Sequence, residues 1–329
     1  MKQIKWGILG CGKIARKFSS DLRLVEGAVK YAVASTDRSK AVAFAKEFGF
    51  EHSFDSYQAL CESDVDVIYI ATPHGLHHDH ALLCIRNGKA VLCEKAFALN
   101  LNQVREMVHL ARSQSVFLME AFWTRFLPQY LKISEIIQSG AIGEIRTISA
   151  DFGFKATDPP AQRLYDPQLG GGSLLDIGIY PVFLAISLLG RPTELNAVMT
   201  PYSTGVDQQI VTGLQFENGA LASLQATFLS DTPVEATING TLGRIRLTNR
   251  FHNASSRIFL SINGSQEKEQ EVHRESGNGY QFEARHVQDC LFKGLTESPQ
   301  WSLDNSLLLM ETLDRIRASC GIKYPHIES

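Results

Sequence analysis

Long apolar runs, paired cysteines and an excess of one charge are all missing from this sequence, and each absence narrows what it encodes. Its 32 Lys and Arg stand against 35 Asp and Glu, for a formal net charge of -3. With that balance, and with no basic stripe interleaved by aromatics, no nucleic-acid partner is expected. The six cysteines, Cys11, Cys61, Cys84, Cys93, Cys290 and Cys320, are scattered without C-x-x-C spacing. Several sit in apolar contexts and read as buried free thiols. The apolar stretches read as too short and too interrupted to span a bilayer, so no membrane partner is expected. No apolar segment with a small-residue cleavage site precedes the first strand pattern, and a reducing cytoplasm is the expected setting.

What is present suits a two-domain globular protein. At 329 residues the chain exceeds one ordinary core, and 44% hydrophobic with 20% charged residues is a globular balance. Residues 4–9, 29–35, 65–71, 90–94 and 116–120 read as short apolar strands. Helical patterns fall between them at 14–24, 40–48, 78–87 and 101–113. This alternation predicts an N-terminal Rossmann domain, a doubly wound parallel sheet with right-handed crossovers, over residues 1–121. After Ala121 the rhythm changes. A long helix is expected over 171–189, then strand-like runs at 210–216, 221–228, 236–239, 244–248 and 258–262. Asn218-Gly219 marks a hairpin between two of them. Helices at 280–292 and 303–319 close an α+β domain, 122–329, with a mostly antiparallel sheet. There are no internal repeats and no low-complexity segments.

Gly10-Cys11-Gly12-Lys13-Ile14-Ala15 follows the first strand and opens the first helix. The first glycine permits a tight turn, and the second lets backbone approach a pyrophosphate. The small Ala15 allows close helix-sheet packing, with the helix N-terminus toward the phosphates. A dinucleotide is therefore the expected cofactor. In an NAD site an acid about 20 residues on bonds the ribose 2′-hydroxyl. Here the second strand ends at Ser35 and Thr36, with Arg38 and Lys40 beyond, a set that suits a 2′-phosphate. NADP is favoured, and NAD is the alternative if Asp37 reads the ribose.

Lys95 directly follows the apolar run 90–94, which places it at the carboxyl edge of the parallel sheet, where doubly wound folds bind ligands. In Gly170-Gly171-Gly172-Ser173-Leu174-Leu175-Asp176-Ile177-Gly178-Ile179-Tyr180, Asp176 and Tyr180 are four residues apart and are expected on one helical face. Oxidising an alcohol requires the hydroxyl proton to leave with the hydride. A phenol is a poor base at neutral pH, and a nearby ammonium favours its phenolate. His74, His77, His78 and His80 lack a matching carboxylate or cysteine set at a recognised spacing, so no metal site is expected.

These motifs together resemble the glucose-fructose oxidoreductase / inositol dehydrogenase (Gfo/Idh/MocA) family. The resemblance rests on the glycine turn, Ala71-Thr72-Pro73 with His77, Glu94-Lys95, and the glycine-led helix ending in Tyr180. Tyrosine at 180, with residues 119–126 and 151–155, is similar to the dimeric dihydrodiol dehydrogenase and NADP-linked D-xylose dehydrogenase branch. The resemblance implies an open second sheet often used for oligomer contacts, with a dimer favoured. It implies that Ala71, Thr72, Pro73, His77, Glu94 and Lys95 line the cofactor. It further implies that Lys95 bridges substrate and cofactor, that Tyr180 is the general acid/base, and that Asp176 orients Lys95 or the substrate hydroxyl. Trp123 and Phe154 are weaker candidates for the substrate wall. The family usually has proline after the lysine, often with a cis peptide, whereas this chain has Ala96; cis bonds before other residues are rare. The expected activity is hydride transfer between NADP and a hydroxyl-bearing carbon of a sugar, polyol or trans-dihydrodiol. A non-enzymatic dinucleotide-binding regulator would not need the aligned Lys95, Asp176 and Tyr180. A cofactor-recycling glycosidase on the same fold leans on histidine where Tyr180 stands.

Overall fold

The computed structural model describes residues 2–157 and 162–324, which form two compact units. The first unit comprises Met1–Phe126 and Glu275–Leu307, the second Leu127–Arg274 and Leu308–Ser329. In chain order the first holds β1 (Ile4–Leu9), α1 (Lys13–Leu22), β2 (Ala28–Ala34), α2 (Arg38–Phe48), β3 (His52–Phe54) and α3 (Tyr57–Glu62). Then come β4 (Val67–Ile70), α4 (His77–Arg86), β5 (Ala90–Glu94), α5 (Leu101–Gln114) and β6 (Leu118–Ala121). The second holds α6 (Pro128–Gln138), β7 (Ile145–Gly153), α7 (Gln162–Tyr165), α8 (Ile179–Leu189), β8 (Pro192–Pro201), β9 (Asp207–Phe216) and β10 (Leu221–Thr227). It continues through β11 (Ala236–Gly240), β12 (Gly243–Thr248), β13 (Arg257–Ile262) and β14 (Lys268–Gln270). Helix α9 (Tyr280–Phe292) counts with the first unit, and α10 (Leu303–Cys320) begins there and continues into the second.

The first sheet has the order β3-β2-β1-β4-β5-β6, every pair parallel. Its chain order reverses between β1 and β4, the crevice where doubly wound sheets take dinucleotides. Strands β4 and β5 are buried at every residue, so they read as unbroken apolar runs. Helix α9 is tied in by Asp21 of α1. This buried carboxylate accepts from the backbone N–H groups of Asn278, Gly279 and Tyr280, capping α9 from outside its own sequence.

The second sheet runs β14-β13-β12-β11-β7-β10-β9-β8 and is antiparallel except between β7 and β10. The hairpin at Asn218-Gly219 joins β9 to β10 as expected. Four strands lie outside the expected set. β3 and β14 are three residues each, too short for a periodic signal, and β8 is bounded by Pro192 and Pro201. Proline is tolerated there because β8 is an edge strand. β7 alternates only from Ile148 to Phe152, in a stretch where no strand pattern was expected.

The long helix expected over 171–189 is not uniform. Leu174–Gly178 forms a π turn, and the α-helix starts at Ile179. Asp176 and Tyr180 therefore lie in different helical geometries, which corrects the expectation of a simple i, i+4 pair. The helical run Pro167–Leu189 also corrects the reading of apolar lengths. It is 23 residues long and contains an 18-residue window with a mean hydropathy of 1.8, long and apolar enough to cross a membrane by length and composition. Here 78% of that apolar window is buried inside the protein, where it forms core.

Candidate active site

In the first unit the turn after β1 is built for close approach. Gly10 has φ +99°, and a Cβ there would meet Thr72 Cγ2 at 3.0 Å and the Ala71 carbonyl at 3.2 Å. Gly12 has no such constraint: its φ is -78°, and an added Cβ would find only the Ala71 oxygen at 3.7 Å. The protein's own packing does not demand glycine at 12, whereas a phosphate held against the backbone does. Gly12 opens α1 with no side-chain cap, so the first-turn N–H groups of Lys13, Ile14 and Ala15 have no side-chain acceptor. Ala15 is fully buried. Beside the turn, burial pushes the Cys11 thiol up to about 11, which keeps it protonated.

At the end of β2 the buried Ser35 hydroxyl accepts the Asp37 N–H at 3.2 Å. Asp37 caps α2, accepting from the Ser39 hydroxyl at 2.6 Å and from the Ser39 and Lys40 N–H groups at 3.0 and 3.3 Å. These bonds, led by the Ser39 hydroxyl, hold its carboxyl below the usual range. Thr36, Arg38 and Lys40 are exposed. Arg38 reaches Asp55 only at 4.0 Å, and Lys40 lies 3.6 Å from Asp37.

The ends of β4 and β5 are joined through one side chain. His77 is fully buried, with Nε2 2.7 Å from the Thr72 carbonyl and Nδ1 2.8 Å from the Ala96 carbonyl. Burial pushes it down to about 4, so the ring is neutral and donates to one carbonyl at a time. Pro73 precedes a single 3-10 turn that leads into α4. The Lys95-Ala96 peptide is cis, which resolves the question raised by Ala96. Lys95 is half-buried, and its N–H donates to Glu94 Oε2 at 3.2 Å. Glu94 also accepts from the Tyr69 hydroxyl, and burial raises it to about 7. The other histidines diverge. His78 contacts Asp79 and Glu106, and His80 bonds Thr72 Oγ1 at 3.0 Å. Among the described residues no three His, Cys, Asp or Glu side chains gather as a metal-binding group. Trp123 is buried and stacks on Tyr280 at 4.7 Å, 12° from parallel.

In the second unit Asp207 anchors the segment that carries Asp176 and Tyr180. Its Oδ2 accepts from Ser173 Oγ at 2.6 Å and from the Leu174 N–H at 2.7 Å. The Asp176 carboxylate meets the Arg163 guanidinium through two bonds of 3.2 and 3.3 Å. Tyr180 is buried, its ring 5.7 Å from Phe152 and 4.6 Å from His252. His252 in turn stacks on Phe152 at 4.3 Å. It follows two successive left-handed residues, Asn249 and Arg250, with φ of 58° and 65°. Phe154 packs on Phe228 at 5.2 Å. Arg163, Asp207 and His252 were not anticipated from sequence. They come from three separate segments and meet Asp176, the π turn and Tyr180 only through tertiary packing, so no local spacing marks them.

The comparisons agree over nearly the whole chain. Residues 4–122 match the oxidoreductase family, NAD-binding Rossmann fold, and residues 130–246 match the GFO/IDH/MocA C-terminal domain. The chain is 38% identical over 333 residues to a trans-1,2-dihydrobenzene-1,2-diol dehydrogenase of Xenopus tropicalis, covering 98% of this chain and 99% of that protein. Among solved structures, KijD10, a 3-ketoreductase from Actinomadura kijaniata in complex with NADP and TDP-benzene, is 27% identical with a TM-score of 0.86. That match covers 97% of this chain and 98% of the other. The aldose-aldose oxidoreductase from Caulobacter crescentus, complexed with glycerol, shares the fold at a TM-score of 0.89 and 24% identity, covering 97% and 98%.

Proposed function

The chain belongs to the Gfo/Idh/MocA family of oxidoreductases, and from that footing we propose that it is an NADP-dependent dehydrogenase or reductase acting on CH–OH carbons. Its substrate class is a sugar, polyol or trans-dihydrodiol. The observation that carries this reading is the full-length likeness to a trans-dihydrodiol dehydrogenase, in a chain that carries Lys95, Asp176 and Tyr180.

Bound after β1, the nicotinamide cofactor supplies or accepts the hydride. The backbone of Gly10, Gly12, Lys13, Ile14 and Ala15 holds its pyrophosphate. Ser35, Thr36, Arg38 and Lys40 hold the 2′-phosphate. Asp37 caps α2 and lies 3.6 Å from Lys40, and the hydroxyls of Ser35 and Thr36 with the exposed Arg38 are what support NADP over NAD. Ala71, Thr72, Pro73, His77 and Glu94 form the wall beside it, with His77 buried between the Thr72 and Ala96 carbonyls. Tyr180 takes the hydroxyl proton during oxidation and returns it during reduction. Lys95, at the carboxyl end of β5, contributes a positive charge beside the cofactor. Asp176 accepts a substrate hydroxyl, and Trp123 and Phe154 give apolar surface to the substrate.

A homodimer through the open face of the second sheet completes the proposal. Val198 on β8, Val211 on β9 and Leu221 on β10 are 72%, 51% and 52% exposed. Val198 pairs directly with Val211, so those two share a face. Exposed aliphatic side chains on a sheet face suit a protein interface. The working compartment is reducing, in keeping with six free thiols.

Tyr180→Phe tests the chemistry. NADP+ reduction with a panel of diols, pentoses and hexoses should fall at least about 100-fold, while NADPH affinity stays nearly constant. Retained turnover in the variant would remove Tyr180 from the proton path.

A further inference from the structure

From Gly170 to Ile186 every residue is buried except Asp176. Asp176 lies in the π turn Leu174–Gly178, and such single turns recur at functional sites. Its carboxylate is met end-on by Arg163 of α7, Nη1 to Oδ1 at 3.2 Å and Nη2 to Oδ2 at 3.3 Å. The arginine side chain is 46% exposed and the aspartate 14%, so the pair is packed on one side and open to solvent on the other. Part-exposed ion pairs of this kind add little to stability. The pair does, however, set an acceptor and a donor side by side at the one opening in an otherwise buried segment. A guanidinium has five N–H donors, of which two face Asp176, and each carboxylate oxygen accepts more than one hydrogen bond.

We infer, on the reading of this chain as a dehydrogenase of CH–OH carbons, that Arg163 and Asp176 form a recognition element for a vicinal diol. One hydroxyl donates to the Asp176 carboxylate, and its neighbour accepts from the Arg163 guanidinium. A lone hydroxyl satisfies only one half of the pair. A carboxylate next to the reacting carbon would suit Arg163 and be repelled by Asp176, so neutral diols are selected over hydroxy acids. Sugars and trans-dihydrodiols share the two adjacent hydroxyls, so one element serves both. Arg163 is thus a specificity-determining residue, distinct from the acid/base Tyr180.

The test compares kcat/KM for trans-1,2-cyclohexanediol against cyclohexanol, and for D-glucose against 2-deoxy-D-glucose, with NADP+ as acceptor. Wild type, Arg163→Ala and Arg163→Lys are measured, with thermal unfolding as the folding control. Wild type should favour the vicinal member of at least one pair by roughly 10- to 100-fold, the worth of a hydrogen bond to a charged group. That ratio should collapse in the alanine variant and recover in part in the lysine variant, which also covers a failure of the alanine variant to fold. A ratio that stays within about two-fold across the variants, or wild-type turnover without preference, overturns the diol element and leaves the dehydrogenase reading intact. A wild-type enzyme that reduces NADP+ with none of the four removes both.

Discussion

Gly172 shows how a single missing side chain supports the second half of the site. It has φ +113°, and a Cβ there would lie 2.4 Å from Asp207 Oδ1. Asp207 is fully buried, and its other oxygen holds Ser173 and Leu174 at the entry to the π turn. Gly172→Ala thus adds backbone strain and a clash with the anchoring carboxylate. The expected loss is about 1–3 kcal/mol of stability, seen as a lower denaturation midpoint in urea. An unchanged midpoint would show that Asp207 does not fix this turn. In the sequence Gly172 was legible only as one of a glycine run, because its partner lies 35 positions away. The same limit applied to Arg163 and His252. By contrast the tight turn at Gly10, the burial of Ala15 and the place of Lys95 just after β5 were legible, since each follows from position relative to one strand or helix.

The elements of the parallel sheet carry more than backbone. Glu94 ends β5 and Glu120 lies on β6, both buried, and burial raises each to about 7. Glu120 accepts the Trp301 indole N–H at 3.3 Å. A carboxyl raised in the fold makes its full contribution below the unfolded value near 4.5. It loses that contribution as pH climbs toward 7, by up to about 1.4 kcal/mol per pH unit. His77 and His286, each pushed down to about 4 by burial, act with the opposite sign, gaining stability between about 4 and 6.5. The two sets act with opposite sign, and a variant isolates one group. Glu120→Gln should gain stability relative to wild type as pH rises from 4.5 to 7, measured by urea denaturation at several pH values. A constant difference between the two proteins would mean that Glu120 is ionised throughout. Strand patterning foretold β1, β2, β4, β5 and β6 almost to their ends, most plainly at β4 and β5, which are buried at every residue. It missed β8, where prolines on an edge strand look like breaks, and it could not separate a π turn from an α-helix.

Across the whole chain the two units divide the labour that the sequence suggested, a dinucleotide fold first and an α+β unit after it. The division itself is less simple along the chain. Glu275–Leu307 returns to the first unit, held in part by Asp21 beneath α9. No periodicity reports such a return, because it is specified by tertiary contacts such as Asp21 with the α9 N–H groups, Trp6 with Gln288 and Glu120 with Trp301. At this scale the oligomer is open to test: native mass spectrometry should give a dimer, and Val198→Glu with Val211→Glu should yield a folded monomer. A wild-type monomer would leave the open face of the second sheet without the proposed partner. The central claim is a hydride enzyme that takes NADP, and it is tested most directly by titrating the purified protein with NADPH and with NADH, followed by intrinsic fluorescence. Micromolar binding is expected, tighter for NADPH, with the preference reduced in Arg38→Ala. Equal or tighter NADH binding would contradict the role given to Ser35, Thr36, Arg38 and Lys40, and binding of neither would contradict the enzyme itself.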